Sequence, residues 1–264
     1  MTIQPSSQTG NTTTTATLLG TYLLRLGDDN LILAQRLGEY ISRAPDLEED
    51  LAVANIALDH IGVAQHLYTY TGEVEDDGRS EDDFAFLRSE REFTNALLVE
   101  QPHDGFGDLI TRQFFFDAYQ LELWTALAQS ADERLAGIAS KAVKEARYHL
   151  RHSSSWMIRL GDGTEESHQR IQRSVNDLWR FTGELFDGDS VDRDLSNAGV
   201  GVDPGTLRPA WERTVTEVLA EATLERPDDP YQASGGRHGV HGEHLGHLLA
   251  EMQWMQRTFP DLTW

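Results

Sequence analysis

The chain has 264 residues, which is long enough for one large domain or two small ones and allows a sizeable buried core. Its 44 acidic residues against 22 Lys and Arg give a net charge of −22, which argues against nucleic acid or an anionic membrane as a partner. The absence of cysteine excludes disulfides, thiolate zinc sites and thiol nucleophiles.

The N-terminal segment is polar and rich in Thr and Ser, with no apolar core and no basic start. This is not the pattern of a signal peptide, so we predict a disordered tail over residues 1–16 and a single domain over residues 17–264. No stretch approaches the roughly 18 apolar residues of a membrane span. We therefore expect a cytoplasmic protein.

Apolar residues recur at helical spacing along almost the whole chain. The first helix is predicted over residues 17–44, because the residue before Pro45 is pushed out of the α region. Asp46 and Glu49 are spaced as a capping box for a second helix over residues 47–72. An acidic loop around residues 75–83 then leads into a shorter helix through Phe93 and Leu98.

The second half of the chain continues the same pattern. Further helices are predicted over residues 108–130, 133–160, 167–186 and 243–259, with a loop rich in Asp and Gly over residues 187–203. Pro204 suits the first turn of a helix over residues 205–224, although Pro209 indicates that this helix starts late or is kinked. With no strand pattern and only short links, the sequence indicates an all-α bundle.

Three consecutive aromatic residues, Phe114, Phe115 and Phe116, fall in one of these helices. Successive helical residues are about 100° apart, so the three side chains cannot all face one side. We expect at least one of them to meet a second layer of helices or another subunit.

A charge-based search finds candidate ligands for a di-iron site of the kind that helical bundles hold. Such a site needs about four carboxylates and two imidazoles, usually with Glu-x-x-His pairs on two helices. The candidates here are Glu39, Asp59, Asp117, Glu145, His60 and His149. However, Gly62 and Tyr148 stand where the paired histidines belong. The residues alone leave open a metal site in another register or one that has been lost.

Five stretches together resemble a known family: "RLGEYISRAPDLEEDLAVANIALDHIG", "SEREFTNALLVEQP", "KEARYHLRHS", "LWRFTGELF" and "GGRHGVHGEHLGHLLAEMQWMQR". The family is the PaaC-type structural subunit of phenylacetyl-CoA 1,2-epoxidase, a multicomponent di-iron monooxygenase. The resemblance spans roughly Leu18 to Trp264. It implies a ferritin-like long-helix bundle with additional C-terminal helices. It also implies a related catalytic subunit as partner, which holds the di-iron centre, and a separate reductase.

The resemblance also allows the ligand motifs of the catalytic partner to be placed on this chain. The six corresponding positions hold Leu37, His60, Val63, Asp117, Ala146 and His149. Asp117 and His149 keep a ligand of the expected type, His60 replaces a glutamate, and the other three residues are apolar. The resemblance therefore implies a lost metal site, with no catalytic, cofactor-binding or metal-binding residue in this chain.

A buried Asp117 at such a site would need a partner for its charge. One possibility is a protonated His149 or His60. The other is that both histidines are neutral and hydrogen-bonded to backbone carbonyls. The sequence leaves both open.

A second candidate site is the series His238, His241, His244 and His247. His244 and His247 are spaced to share a helix face, with Glu243 one turn away, which could hold a divalent ion. The preceding "GGRHGVHG" favours a loop over a preformed cage. A structural role, or a role in contacts between subunits, is therefore the preferred interpretation.

Three functions follow from these features. The first is a non-catalytic structural subunit that stabilises and positions a catalytic di-iron subunit in phenylacetate degradation. The second is a di-metal oxygenase or oxidase in its own right, using the six candidate ligands given above. The third is a free-standing helical binding protein that forms a homodimer.

Overall fold

The structure is a computed structural model that describes residues 9–228 and 231–260. Long and medium helices account for most of it: α1 (Thr9–Gly38), α2 (Leu47–Glu75), α3 (Leu97–Glu100), α4 (Phe106–Leu127), α5 (Glu133–Gly161), α6 (Glu165–Trp179), α7 (Ser190–Asn197), α8 (Arg208–Glu221), α9 (Glu243–Met252) and α10 (Trp254–Thr258). Single turns of 3-10 or π-helix lie at Asp83–Leu87, Glu90–Glu92, Gly183–Phe186, Pro204–Leu207 and Gly236–His238. Within the described ranges there is no strand, which confirms the predicted all-α class.

The four longest helices form two hairpins. α1 packs along α2 and α4 packs along α5, while α2 also meets α5. The shorter α6 and α8 cover α4 and α5 on the other side. One hydrophobic core joins these elements and reaches α9. None of the helices in the described part is long and apolar enough to cross a membrane. This arrangement is the expected ferritin-like bundle with additional C-terminal helices.

α1 begins at Thr9, and residues 1–8 of the predicted tail lie outside the described part of the chain. The division into a tail over residues 1–16 and a single domain over residues 17–264 stays a prediction. Once a helix is nucleated, each added residue contributes one hydrogen bond. The Thr-rich stretch can therefore extend α1 towards the N-terminus from the later part of the helix, which packs against α2.

Carboxylates set the C-terminal end of α1 and the N-terminal end of α2. α1 stops at Gly38, earlier than predicted, because the Asp50 carboxylate accepts the backbone amides of Ser42 (3.0 Å) and Ala44 (3.1 Å) in a non-helical turn. Asp46 caps α2 by accepting the amide of Glu49 at 2.9 Å, which is one half of the predicted capping box. The other half does not form, because the Glu49 carboxylate bonds His152.

The predicted helix through Phe93 and Leu98 is wrong. This region holds only the turn Glu90–Glu92 and the single-turn α3, with extended backbone between them. The reason is tertiary: Asp28 and Asp29 of α1 accept the amides of Thr94 and Ala96, each at 2.7 Å. Amides bonded to these carboxylates cannot also donate to helical carbonyls.

Two further boundaries were only partly predicted. The stretch over residues 187–203, expected as a loop, contains α7, which Asp189 caps by accepting the amide of Val191. The predicted last helix divides into α9 and α10 at Gln253, whose side chain donates to two carbonyls of the segment 85–88. α8 starts late with Pro209 in its first turn, as the prolines predicted.

The three consecutive phenylalanines of α4 are all fully buried. Phe115 faces away from the long-helix pairs, because its ring contacts Trp179 at 5.6 Å and Trp211 at 6.0 Å between ring centroids. These tryptophans belong to α6 and α8, so the expected second layer of helices is confirmed.

Candidate functional site

The centre of the bundle brings together three of the six ligand-equivalent positions. One potential ligand atom from each of His60, Asp117 and His149 lies within 4.8 Å of the other two, and all three residues are buried. They come from α2, α4 and α5. Across the described part of the chain, this is the only group of three or more such side chains that close together.

The other three positions are filled by apolar side chains. Leu37, Val63 and Ala146 are all buried in the hydrophobic core. The centre therefore offers one carboxylate and two imidazoles, whereas two iron ions need about four carboxylates and two imidazoles. These residues do not fit a di-iron centre.

The alternative ligand set is not assembled as one group. Asp59 is half-buried and accepts from His149 Nε2 at 3.0 Å. Glu145 pairs with Lys141 at 3.7 Å, and burial and the charge of Asp59 raise its pKa. Glu39 lies beyond the end of α1 and pairs with Arg36 at 2.9 Å.

Asp117 has neutral hydrogen-bond partners. Its Oδ1 lies 2.6 Å from Gln113 Nε2, and its Oδ2 lies 2.8 Å from Ser153 Oγ. Burial raises the pKa of Asp117 to about 8, against which these two bonds act weakly. The carboxyl group is therefore mostly protonated at neutral pH. Of the two alternatives left open by the sequence, a cationic histidine paired with Asp117 is wrong.

Both histidines are held neutral. Burial lowers the pKa of His60 well below its usual value, and the neighbouring His149 lowers it further. Burial also lowers the pKa of His149, although Asp59 acts in the opposite direction. The neutral alternative is the one supported, with one correction. The histidines bond side chains and not carbonyls.

A layer of side-chain amides orients the His60 ring. Asn30 Oδ1 accepts from His60 Nδ1 at 2.8 Å and from Gln120 Nε2 at 3.1 Å. The opposite ring nitrogen of His60 is then the acceptor for Gln113 Nε2 at 3.4 Å. This layer was not predicted from the sequence. The available signal was spacing, since Gln113 lies one helical turn before Asp117 and Ser153 one turn after His149.

Of the four histidines in the second candidate site, His241 connects its loop to α3 and to the segment before α3. His241 Nδ1 lies 2.7 Å from Glu100 Oε2, and its Nε2 lies 2.8 Å from the carbonyl oxygen of Phe93. Both partners are acceptors, so both ring nitrogens donate and the ring is an imidazolium. Burial opposes this charge, but the bonds to Glu100 and Phe93 raise the pKa of His241.

The adjoining glycines are required by close packing. A Cβ on Gly236 would lie 2.2 Å from the carbonyl oxygen of Asn95. Gly239 has φ of +71° and would meet the carbonyl of Arg91 at the same distance. Glu184 holds this loop by accepting the amides of Gly235 and Gly236, each at 2.7 Å. The preferred structural interpretation of "GGRHGVHG" agrees with these contacts.

The fold and its centre define a class: a ferritin-like helical bundle whose centre holds His60, Asp117 and His149 beside buried apolar side chains. The chain belongs to the phenylacetic acid catabolic protein family, which it matches over residues 1–264. It is 52% identical over 246 residues to the C-type subunit of the 1,2-phenylacetyl-CoA epoxidase of Escherichia coli K12, an alignment that covers 93% of this chain and 99% of that protein. The resemblance seen in the sequence is confirmed.

Proposed function

We propose that this chain is a non-catalytic structural subunit of a phenylacetyl-CoA 1,2-epoxidase. It stabilises and positions a related catalytic subunit, which holds the di-iron centre, and further components including a reductase complete the complex. The observation that carries this proposal is the bundle centre, where Leu37, Val63 and Ala146 pack as core. The similarity to the C-type subunit of the Escherichia coli enzyme supplies the reaction and the kind of partner.

An exposed apolar stripe on α2 supports a partner of this kind. Leu47, Leu51, Leu58 and Ile61 are 69%, 56%, 63% and 45% exposed. Their spacing places them along one side of the helix, while the opposite side of α2 packs into the bundle. Tyr148 of α5 is also exposed. Exposed apolar side chains grouped along one face of a helix are typical of a protein interaction surface.

The proposal is tested by producing the catalytic subunit with and without this chain. We expect a soluble, iron-loaded and active catalytic subunit only when this chain is present, because an obligate interface typically buries more than about 2,000 Å² with an apolar centre. Solubility, iron content and epoxide formation are measured on both preparations. Equal activity without this chain contradicts the structural role.

The same preparations separate the two rival functions. Stoichiometric iron in this chain purified alone, or epoxidation by it alone, would establish the di-metal oxygenase. A homodimer that persists when the catalytic subunit is present in excess would establish the free-standing binding protein. Metal analysis and mass measurement in solution report on each.

A further prediction tests whether the α2 stripe binds the catalytic subunit. We expect the double change Leu51→Asp and Leu58→Asp to weaken binding of the catalytic subunit at least tenfold, because two charges must then be buried in an apolar interface. The fold should persist, since both side chains are exposed. Titration calorimetry measures the affinity and circular dichroism checks the fold.

Leu87→Asp is the matched control. Leu87 is 56% exposed, as Leu51 is, but lies outside α2 on the turn Asp83–Leu87. We expect this variant to bind as the unchanged chain does. Unaltered binding by the double variant, or an equal loss in the control, would show that the stripe is not the interface with the catalytic partner.

A further inference from the structure

One helix of this acidic chain carries an excess of positive charge. Along its 29 residues, α5 has six lysine and arginine residues against two glutamates, whereas the whole chain has 22 basic residues against 44 acidic ones. Both lysines of the chain, Lys141 and Lys144, belong to α5. The charge of this helix is therefore opposite in sign to that of the molecule as a whole.

Three of these cations form a row along α5. Lys144, Arg147 and Arg151, which we call the basic row, are all exposed. They follow one another at intervals of three and four residues, so they lie on the same side of the helix. Within the described part of the chain, none of the three makes an ion pair. Each end of the row is thus free to meet a negative charge from outside the chain.

Elsewhere the chain neutralises exposed arginines with its own carboxylates. Arg79 pairs with Glu75 and Arg170 pairs with Glu166, in each case one helical turn away. In the basic row, by contrast, the neighbours one turn away are other cations, and like charges at this spacing destabilise a helix. An anionic surface laid over the row would turn this repulsion into attraction.

The basic row lies on the helix next to the apolar α2 stripe. α2 meets α5 where the Asp59 carboxylate accepts from His149 Nε2 at 3.0 Å. Tyr148, the exposed aromatic residue of α5, has the guanidinium carbon of Arg151 at 5.3 Å from its ring centroid. Exposed apolar side chains flanked by charged ones are the usual arrangement of a protein interface, with an apolar centre and a polar rim.

We propose that the basic row binds a carboxylate-rich surface of the related catalytic subunit, at the rim of the interface whose centre is the α2 stripe. This inference rests on the proposed function. A second copy of this chain is a poorer partner, because two chains with a net charge of −22 repel each other. Nucleotide phosphates also fit less well, since small ligands are held in concave pockets and the row stands on the exposed side of a helix.

The test is a competition for the catalytic subunit inside the cell. Two forms of this chain with different terminal tags, one unchanged and one carrying Lys144→Glu and Arg147→Glu, are produced together with the catalytic subunit. Complexes are captured through the catalytic subunit, and mass spectrometry compares the two forms in the complex and in the soluble fraction. We expect the unchanged form to be enriched by at least about tenfold, because reversed rim charges slow association and repel the partner's carboxylates.

Arg173→Glu with Arg213→Glu is the matched control. Both arginines are exposed and make no ion pair within the described residues. They lie on α6 and α8, which cover the other side of α4 and α5. This variant has the same net charge as the first one, and we expect it to be captured as the unchanged chain is.

Two further variants separate charge from shape. Lys144→Arg with Arg147→Lys keeps both charges and should be captured normally, whereas Lys144→Gln with Arg147→Gln should give an intermediate ratio. Neither Lys144 nor Arg147 bonds another described residue, and the charge reversal removes repulsion within α5. Its Tm should therefore be no lower than that of the matched control, so that weaker capture reflects binding and not unfolding.

The outcomes distinguish this inference from the proposed function. If the unchanged chain is not captured by the catalytic subunit, both are wrong. If the chain is captured but the charge reversal has no effect, or the control loses as much, only the role of the basic row is overturned. Normal capture with loss of self-association in sedimentation would assign the row to a second copy. Normal capture with a raised KM for the coenzyme A thioester would assign it to nucleotide phosphates, and either result overturns the inference.

Discussion

Asp28→Ala is expected to lower the free energy of unfolding by about 3–5 kcal/mol, the usual cost of removing one partner of a buried ion pair. The Asp28 carboxylate is fully buried and pairs with Arg88. It also accepts from the Tyr68 hydroxyl at 2.6 Å and from the amide of Thr94 at 2.7 Å. Alanine leaves the Arg88 guanidinium with no opposite charge beside it.

Asp28→Ala should also destabilise the segment over residues 88–96. The amides of Thr94 and Ala96 are held by Asp28 and Asp29, and these bonds replace the helix that the local sequence favours. We therefore expect faster amide hydrogen exchange over residues 88–96, in addition to the global loss measured by urea unfolding.

Asp77→Ala is the matched control for Asp28→Ala. Asp77 also pairs with an arginine, Arg79 at 2.7 Å, but both side chains are largely exposed. Exposed pairs contribute little to stability because water and salt screen them. We expect little or no change in the unfolding midpoint. Similar losses of stability in the two variants would contradict the large contribution assigned to the buried Asp28 carboxylate.

Asp117→Asn is expected to change the pH dependence of stability. The pKa of Asp117 is about 8 in the folded chain and 3.8 when exposed, so between these values the folded state binds a proton that the unfolded state has lost. The stability contributed by Asp117 is complete below about pH 4 and is lost as pH rises to about 8. At 1.36 kcal/mol per pKa unit, the loss is on the order of 5 kcal/mol.

Asparagine fits the neutral form of this site. Its Oδ1 can accept from Gln113, and its amide can donate to Ser153 Oγ, which in turn can donate to the carbonyl of His149 at 3.1 Å. Asparagine carries no titrating proton, so the stability of the variant should not show this decline between about pH 4 and pH 8. Above pH 8 the variant should be more stable than the unchanged chain.

The measurement is urea unfolding of both proteins from pH 4 to pH 9. Other buried acids, including Asp29 and Asp192, also have raised pKa values, so the difference between the two curves isolates Asp117. Asp117→Ala should be destabilising at every pH, since it removes the partner of Gln113 and Ser153 and leaves a cavity. If stability falls equally steeply with pH in Asp117→Asn and in the unchanged chain, the Asp117 carboxyl is not protonated in the folded state.

The amino-acid sequence by itself determined the all-α class and most of the long helices, because their apolar period and their caps involve residues close together in the chain. The capping of α2 by Asp46 is one such local contact. The resemblance to a known family located His60, Asp117 and His149, and the structure brings them within 4.8 Å of one another. The same resemblance placed Leu37, Val63 and Ala146 at ligand positions, from which we predicted a lost metal site.

Only the tertiary structure decided the features that depend on distant residues. The segment around Phe93 is not helical because carboxylates of α1 bind its amides, and His241 is charged because it meets Glu100 from far along the chain. The protonation of Asp117 likewise follows from complete burial beside neutral donors. Spacing along one helix carries no information about these contacts, since burial and pairing arise only when separate elements pack.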